Sequence, residues 1–444
     1  MRQLSEKLLK RWILQIKTAN PHRTAVAGIA AGSENGQGII GVAPEAELAG
    51  LRLFGNTDPL NYKVNLLGKQ VADALFDPNR NQSIDILNNS WGPEYMKRQP
   101  LALQALESGV KKGRNGLGNI NVFAGANEGN LYENVNYNSF ASSLNTIAVA
   151  AIDNEGNHAT YSTPGSAIFI SASSDSGNPN NLNLKAITTT TISKNGSFSP
   201  SYASDLGGTS AAAPLVSGVI ALMLEANPNL TMRDVEHILA KTAQRNDSNG
   251  TDTEGKPKWM QNKAGLWVSY EYGFGAIDAA AAVQAAVNWT PVGNEVSVTS
   301  GLQNVIKKIP DGSAEGIKAN TTLSENIIVE KAEVIFDATH PDWSDFTVEL
   351  ISPGGTKSVL ANPIPNPPNS SNSEEIMVDS PQWKFISIRH WGELSQGEWK
   401  LQVIDNNSHQ LEGMGNNWKL NLYGLKLDQS PNVVANRKDS GSGS

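Results

Sequence analysis

The sequence has no cysteine among its 444 residues, and this absence removes several kinds of chemistry at once. Disulfides, metal–thiolate sites and thiol nucleophiles all need cysteine and are therefore excluded. Charged residues are scarce at 18%, and 43 acidic against 35 basic residues give a net charge of −8. This acidic balance argues against nucleic acid as the main partner. With 39% hydrophobic residues, 40 glycines and 22 prolines, the composition predicts a soluble, loop-rich globular protein.

Long apolar segments are also missing. No uninterrupted apolar run approaches the roughly 18 residues of a membrane span, so we expect no transmembrane segment. Lys10, Arg11 and Lys17 interrupt the N-terminal region, which therefore does not resemble a secretory signal, and the compartment stays open. Apolar residues of segment 1–19 recur at helical spacing and predict an amphipathic helix. This helix either packs on the body of the protein or lies on a membrane surface.

Residues 20–290 alternate between short apolar runs and helical patterns. The runs 84–90, 120–126 and 145–152 are rich in branched residues, as strands buried on both faces of a sheet are. A helical stretch at 99–113 separates the first two runs. Strand–helix–strand alternation implies a parallel sheet with right-handed crossovers, so we predict an α/β domain.

The pattern changes after residue 290. Residues 293–427 contain alternating strands such as DFTVELISP and GEWKLQVID, which Gly, Pro and Asn interrupt. This pattern predicts an all-β sandwich. The tail 428–444 ends in SGSGS and is predicted to be disordered.

One serine stands out in the segment DLGGTSAAAP, residues 205–214. A long apolar helix pattern starts just after Ser210, and Pro214 is expected in its first turn, where a missing N–H does no harm. Ser210 would then lie at a helix N-terminus, where the dipole favours a developing negative charge. Gly207 and Gly208 allow a sharp turn and close substrate approach. The alternative for Ser210 is a helix-capping serine.

A nucleophilic serine needs a base, usually a histidine. The chain has six: His22, His158, His237, His340, His390 and His409. His22 opens HRTAVAGIAAG, a second helical pattern packed with small residues, where a general base would be held rigidly. The alternative for His22 is a capping histidine.

Four segments together resemble the motifs of subtilisin-like serine proteases of the kexin/furin type: GGTSAAAP, HRTAVAGIAA, NNSWGP and VFAGANEG. The resemblance implies a subtilisin-like parallel sheet flanked by helices, with Ser210 as nucleophile, His22 as base and Asn127 as oxyanion donor. It also implies a substrate-binding strand at Ser90, Trp91, Gly92 and Pro93. The segments FTVELISPGGTKSVL and HWGELSQGEWKLQVID are similar to the P domain of that family, a jelly-roll-like β-sandwich.

The third member of the family's triad, an early Asp, has no counterpart in the residues before His22. Glu34 and Asp85 are the local acids; Glu34 lies beyond the helix that follows His22, and Asp85 is expected to be structural. We therefore predict that no Asp or Glu oxygen lies within roughly 3.2 Å of the His22 ring and that turnover is slow. Arg23 replaces the family's glycine and is expected to crowd or repel the imidazolium.

The specificity pocket and the metal loop also depart from the family. Asn138 and Tyr95 stand where the resemblance implies acids for a basic P1 residue, which predicts broad cleavage or an uncharged P1. The loop at 32–41 resembles the family's calcium loop, with Asn35 as the side-chain ligand. Calcium prefers six to eight oxygens, usually with carboxylates, so we expect one weak calcium site at most. A second site would need acids at Tyr95 and Thr163.

These observations favour a serine endopeptidase that acts on polypeptides. Because the triad Asp is missing, we expect its activity to be impaired in this form. The alternative is a pseudoprotease, a relative that binds peptides or regulates without efficient turnover. A β-sandwich binding module with a helical partner explains none of the catalytic motifs.

Overall fold

The structure of the chain is a computed structural model. It describes residues 11–13, 21–51, 53, 68–78, 83–93, 96–129, 134–178, 185–192, 201–252, 255–364, 382–408 and 412–429.

A six-stranded parallel sheet forms the centre of the first half of the chain, with the strand order β2-β1-β3-β4-β5-β6. Its strands are β1 (Arg11–Ile13), β2 (Glu47–Ala49), β3 (Ile86–Asn89), β4 (Ile120–Ala124), β5 (Ile147–Ile152) and β6 (Ile168–Ser173). Every residue of β4 and β5 is buried, as expected for strands covered on both faces. The predicted α/β class and the strands predicted at 84–90, 120–126 and 145–152 are confirmed.

Six helices accompany this sheet in the described part of the chain. They are α1 (Pro21–Ala31), α2 (Gly68–Leu75), α3 (Pro100–Lys112), α4 (Thr209–Ala226), α5 (Met232–Thr242) and α6 (Ala279–Val287). The central helix, α4, packs against β3, β4, β5 and β6 and against α1 and α6. The helix predicted at 99–113 is α3.

One helix, α4, bears on the expectation that the chain has no transmembrane segment. Among the described residues, this helix alone has the length and composition of a span, and 72% of its apolar window is buried inside the protein. Its apolar character follows from its position in the core, where it contacts the sheet and its neighbouring helices on several sides.

The predicted N-terminal helix at 1–19 was wrong at Arg11–Ile13, which form β1. The backbone of β1 pairs in parallel with β2 on one side and with β3 on the other. Without this strand, the facing edges of β2 and β3 would lack a hydrogen-bonded neighbour. Pairing with strands that are distant in sequence therefore overrides the helical periodicity of the local sequence. The rest of segment 1–19 lies outside the described residues.

Four short strands form two antiparallel hairpins around the sheet: β7 (Ile187–Thr191) with β8 (Ser201–Leu206), and β9 (Trp259–Gln261) with β10 (Trp267–Ser269). The first hairpin holds α1 in place. The Thr189 hydroxyl donates to the Ala25 carbonyl at 2.7 Å, and the Thr190 hydroxyl donates to the Thr24 carbonyl at 2.8 Å. A Cβ on Gly28 would overlap the hydroxyl of Thr190, so glycine permits this close packing.

The second half of the chain is the predicted β-sandwich. One sheet has the order β11-β19-β14-β17, with β12 also paired to β19, and the other has the order β13-β18-β15-β16. The strands are β11 (Val296–Thr299), β12 (Gln303–Ile309), β13 (Ile317–Leu323), β14 (Ile328–Thr339), β15 (Phe346–Ile351), β16 (Lys357–Ala361), β17 (Gln382–Ser387), β18 (Gly397–Asp405) and β19 (Gly413–Leu425). Trp383, Trp399 and Trp418 are fully buried within this half. Of the predicted disordered tail, Asp428 and Gln429 belong to a short 3-10 turn, and 430–444 lie outside the described residues.

Candidate active site

Ser210 is the second residue of α4, as the sequence predicted for a serine at a helix N-terminus. Gly208 precedes the helix with a φ of +80°, a conformation that favours glycine. A Cβ on Gly207 would overlap the carboxylate of Asp175, and a Cβ on Gly208 would lie 3.3 Å from Nδ2 of Asn127. Both glycines are therefore needed for the turn that presents Ser210.

The predicted place of Pro214 in the first turn of α4 was wrong. Pro214 is the sixth residue of the helix, where its missing N–H deprives the Ser210 carbonyl of its usual partner four residues on. The Ser90 hydroxyl supplies the missing donor and lies 2.9 Å from the Ser210 carbonyl oxygen. In return, the Ser210 hydroxyl lies 3.4 Å from the Ser90 carbonyl oxygen. The structure thus joins the candidate substrate strand directly to the candidate nucleophile.

The side chain of Asn127 is fixed beside Ser210 by the intervening residue. Oδ1 of Asn127 accepts the Thr209 backbone N–H at 2.8 Å and the Thr209 hydroxyl at 2.9 Å. Ala126, just before it, has a φ of +79°, a strained conformation for alanine. Because Oδ1 is engaged by Thr209, Nδ2 is the end of the carboxamide that can donate a hydrogen bond to a substrate. Thr209 was missed in the sequence, although its place between Gly208 and Ser210 was a signal.

His22 is the second residue of α1, the helix that packs against α4. The residue as a whole is exposed, yet neighbouring protein atoms partly desolvate its ring. This desolvation, followed by the positive charge of Arg23, lowers the pKa of His22 below its ordinary value. The predicted repulsion by Arg23 agrees with this direction. A lowered pKa keeps the imidazole neutral, which a base requires, but makes the imidazolium harder to form.

Of the two local acids, Asp85 has a structural partner. Its Oδ1 accepts a hydrogen bond from Nε of buried Arg114 at 3.0 Å, which agrees with the structural role expected from the sequence. The same guanidinium donates to the carbonyls of Leu230 and Pro228, so the pair ties β3 to the end of α4. Glu34 lies exposed in the loop after α1. That no carboxylate lies near the His22 ring stays a prediction.

The candidate substrate strand Ser90 to Pro93 continues from the end of β3. The Trp91 indole packs on Phe123 and Phe140, with ring centroids 5.9 Å and 5.4 Å apart, and its Nε1 donates to Asn89 Oδ1 at 3.1 Å. A Cβ on Gly92 would lie only 2.7 Å from Nδ2 of Asn138. Glycine therefore permits the close approach of Asn138 to this strand.

Asn138 lies next to that strand, where the sequence placed a specificity pocket. Its Oδ1 accepts the backbone N–H groups of Phe140 and Ala141, both at 3.1 Å. Its amide thus leaves no negative charge at this side of Gly92. Tyr95, the other predicted pocket residue, lies outside the described residues.

The loop with Asn35 does not fit a calcium ion well. Asn35 is exposed, and its Oδ1 accepts the Gln37 N–H at 3.0 Å. Within the described ranges, no group of three or more His, Asp or Glu side chains could hold a metal. Thr163, where a second site would need an acid, is buried and accepts the Glu128 N–H at 2.9 Å. We therefore assign calcium no step in the chemistry.

The parallel sheet with its central helix α4 defines a subtilisin-like α/β class of protein. Comparison with known proteins identifies the family. Residues 14–275 match the Subtilase family, and residues 329–422 match the proprotein convertase P-domain. The chain therefore belongs to the subtilase family and carries a P-domain after its catalytic fold. Relatives of this kind generally bind calcium.

Individual relatives share the same two-part organisation. Human proprotein convertase subtilisin/kexin type 5 is 32% identical over 427 residues, which cover 92% of this chain and 21% of that protein. The dibasic-processing endoprotease of Schizosaccharomyces pombe is 32% identical over 421 residues, 91% of this chain and 54% of that protein. The chain thus spans between about a fifth and about half of these relatives. The serine protease of Aeromonas sobria has the same fold, with a TM-score of 0.79 at 24% identity over 94% of this chain and 88% of that one.

Proposed function

We propose that the chain is a serine endopeptidase that hydrolyses peptide bonds through Ser210 and His22, with Asn127 in the oxyanion hole. The observation that carries the proposal is the arrangement at the start of α4. Thr209 holds Oδ1 of Asn127, while Ser210 follows at the N-terminus of the same helix. A fixed amide donor next to a hydroxyl at a helix N-terminus suits a tetrahedral oxyanion.

In the proposed reaction, Ser210 Oγ forms a bond to the substrate carbonyl carbon while a ring nitrogen of His22 takes the hydroxyl proton. The carbonyl oxygen becomes an oxyanion, and Nδ2 of Asn127 donates a hydrogen bond to it. Collapse breaks the C–N bond, and His22 returns the proton to the leaving amine. Water then attacks the acyl-enzyme with the same groups in the same roles, which releases the acid and restores Ser210.

We propose that the substrate is an extended polypeptide whose backbone pairs with Ser90 to Pro93 as an added strand. The P1 side chain would lie beside Gly92 and Asn138. Since Asn138 is neutral and uses its Oδ1 on two backbone amides, an uncharged P1 residue is favoured over arginine.

The test is hydrolysis of a quenched fluorescent peptide library by the full chain, its Ser210→Ala variant and its Asn127→Ala variant. Ser210→Ala should abolish hydrolysis, and Asn127→Ala should lower kcat by about 100–1,000-fold. Hydrolysis that survives in Ser210→Ala would contradict the assignment of the nucleophile.

One observation favours a pseudoprotease as the second candidate. The charge of Arg23 disfavours the imidazolium that His22 must form in each proton transfer. A pseudoprotease would still bind peptides along Ser90 to Pro93. Peptide binding by the wild-type chain, with no turnover and no reaction of Ser210 with a phosphonate, would establish this second candidate.

A further inference from the structure

We propose that Asp175, together with Tyr161, is a positioning residue that clamps the Gly207–Gly208 turn and so fixes Ser210 for attack. The inference rests on the proposed function, because it assigns residues to the same nucleophile. Neither residue belongs to the four motifs that the sequence singled out.

The clamp is made of hydrogen bonds to the backbone N–H and carbonyl of one residue, Gly208. The Gly208 N–H lies between two acceptors, Oδ1 of Asp175 and Oη of Tyr161, each at 3.0 Å. On the other side, the Gly208 carbonyl accepts the hydroxyl of Ser174 at 2.8 Å. Both backbone polar groups of the residue that precedes α4 are therefore held by side chains from outside the helix.

The clamping side chains are themselves fixed. The Tyr161 hydroxyl donates to Oδ1 of Asp175 at 2.6 Å, and Oδ2 of Asp175 accepts the Gly177 N–H at 3.2 Å. Ser174 and Asp175 directly follow β6, and the Ser174 N–H donates to the Ile152 carbonyl at 2.7 Å. The clamp is thus anchored on the parallel sheet rather than on a loop. Burial, and then the hydrogen bond to Asp175, raise the pKa of Tyr161, so its hydroxyl remains a donor.

This geometry explains why glycine occupies both turn positions. A Cβ on Gly207 would overlap the Asp175 carboxylate, so the carboxylate approaches the backbone as closely as glycine permits. Gly208 has a φ of +80°, which costs any other residue strain. A peptide in this conformation needs tertiary partners to keep one orientation. Because Ser210 follows two residues later, a tilt of the Gly208 peptide moves its hydroxyl, and a shift of about 1 Å can cost about 100-fold in rate.

The experiment compares the rate of Ser210 labelling by a fluorophosphonate in the full chain and in three variants, Asp175→Ala, Asp175→Asn and Tyr161→Phe. Asp175→Ala removes the acceptor and should slow labelling by at least about 10-fold, with kcat reduced and KM unchanged. Asp175→Asn keeps an oxygen acceptor for the Gly208 N–H and should stay within about threefold of the wild type. Tyr161→Phe leaves the Asp175 acceptor in place and should give an intermediate rate.

Asp153→Ala is the matched control. Asp153 is buried after the neighbouring strand β5, and its Oδ1 likewise accepts backbone N–H groups, those of Glu155 and Asn157 at 2.9 Å. Asp153 stabilises the turn after β5 and not the turn before Ser210. The Asp153→Ala variant should therefore be less stable, but its Ser210 should be labelled at the wild-type rate. Equal slowing in Asp153→Ala and Asp175→Ala, or no slowing in Asp175→Ala, would overturn the proposal. If Asp175→Ala does not fold, the other two variants test the proposal. The clamp then requires that Ser210 is labelled more slowly in Tyr161→Phe and at a nearly wild-type rate in Asp175→Asn.

Hydrogen exchange separates this proposal from the proposed function. Exchange at the amides of Gly207 to Thr209 should speed up in Asp175→Ala and Tyr161→Phe but not in Asp153→Ala. If the wild-type chain takes no label at all, the proposed function fails, and the exchange result alone tests the clamp. Unchanged exchange in both clamp variants would overturn it in either case.

Discussion

Thr209 and Asn127 show how one hydrogen-bonded pair orients the amide that we propose as the oxyanion donor. Thr209 offers its N–H and its hydroxyl to the same oxygen, so the orientation of the Asn127 carboxamide is fixed twice. The sequence predicted the Asn127 role from its motif, but it could not predict this pair, because 82 residues separate its members. Contacts between distant residues depend on the sheet that brings β4 next to the start of α4.

Removing only the hydroxyl of Thr209 tests this arrangement. Thr209→Val keeps the backbone N–H but loses the second donor, so kcat should fall by about 10-fold, less than the loss typical for an oxyanion donor. Thr242→Val, which removes a hydroxyl at the end of α5, is the control and should leave kcat unchanged. A larger loss in Thr209→Val than in Asn127→Ala would contradict the account.

Arg23 provides a prediction of pH dependence. Burial, and then the charge of Arg23, lower the pKa of His22, so the acid limb of the labelling rate should have a midpoint below about 6.5, the ordinary pKa of histidine. Arg23→Gln removes the repulsion and should move the midpoint to higher pH. The pH profile of phosphonate labelling measures the shift.

Arg245→Gln is the control for the loss of one positive charge, because Arg245 stacks on Trp267. This variant should leave the midpoint of the pH profile unchanged. A midpoint that stays in place or moves to lower pH in Arg23→Gln would show that Arg23 does not act on the base.

Asn138 sets the prediction for substrate choice. Asn138→Asp would place a carboxylate beside Gly92, where we propose that the P1 side chain lies, so kcat/KM for a P1 arginine relative to a P1 leucine should rise by at least about 10-fold. A peptide-library profile measures the ratio. As a control, Asn154→Asp adds the same charge after β5 and should leave the ratio of kcat/KM values for P1 arginine and P1 leucine unchanged. A wild-type profile dominated by arginine would contradict the account.

At the scale of elements, patterns of apolar residues predicted β3, β4, β5 and α3 well. The three strands are short continuous apolar runs, and the helix has apolar residues at helical spacing. The region of β1 was predicted as helix because local spacing cannot show that a strand position between β2 and β3 needs to be filled. The place of Pro214 was wrong for a related reason. Whether a missing N–H does harm depends on a donor from another element, here Ser90.

The link between β3 and α4 can be tested with a double-mutant cycle. Ser90→Ala leaves the partly buried Ser210 carbonyl without its donor and should lower the free energy of unfolding by about 1–3 kcal/mol. Pro214→Ala restores the helical N–H to that carbonyl, so Ser90→Ala should cost less in the Pro214→Ala background. Urea denaturation of the wild type, the two single variants and the double variant gives the coupling free energy between Ser90 and Pro214. Additive costs would mean that Ser90 does not replace the missing N–H.

At the scale of the whole molecule, buried charges join the catalytic half to the β-sandwich. Glu330 of β14 accepts hydrogen bonds from Arg233 at 3.0 Å and 2.7 Å, and its Oε1 lies 2.7 Å from Nε2 of His237, both on α5. Next to it, Lys331 pairs with buried Glu236 at 2.5 Å. The sequence predicted the two folds but not this interface, because charged residues within strands and helices usually face solvent.

The pKa of Glu330 gives this interface a pH dependence. Burial alone would raise it, but the hydrogen bonds from His237 and Arg233 outweigh burial and lower it to about 2. A carboxyl whose folded pKa lies below its unfolded value stabilises the fold at pH values above the unfolded pKa of about 4.3. This contribution is lost as the pH falls from about 5 towards 2.

Glu330→Gln should therefore lower the free energy of unfolding by about 3–5 kcal/mol at pH 7, because it leaves the partly buried guanidinium of Arg233 without its carboxylate. The difference from the wild type should shrink as the pH falls below 5. Urea denaturation at pH 7, 5 and 3 measures it, with Glu398→Gln, half of an exposed pair with Lys400, as a control that should cost little. A difference that does not depend on pH would contradict the assigned role of Glu330.

The central claim is that Ser210 is a nucleophile activated by His22. Site-mapped labelling with a fluorophosphonate tests it most directly, because labelling needs an activated serine but no complete turnover. The account predicts one label on Ser210, its loss in Ser210→Ala, and a strong reduction in His22→Ala. A label on another residue, or equal labelling of Ser210 in His22→Ala, would contradict the claim.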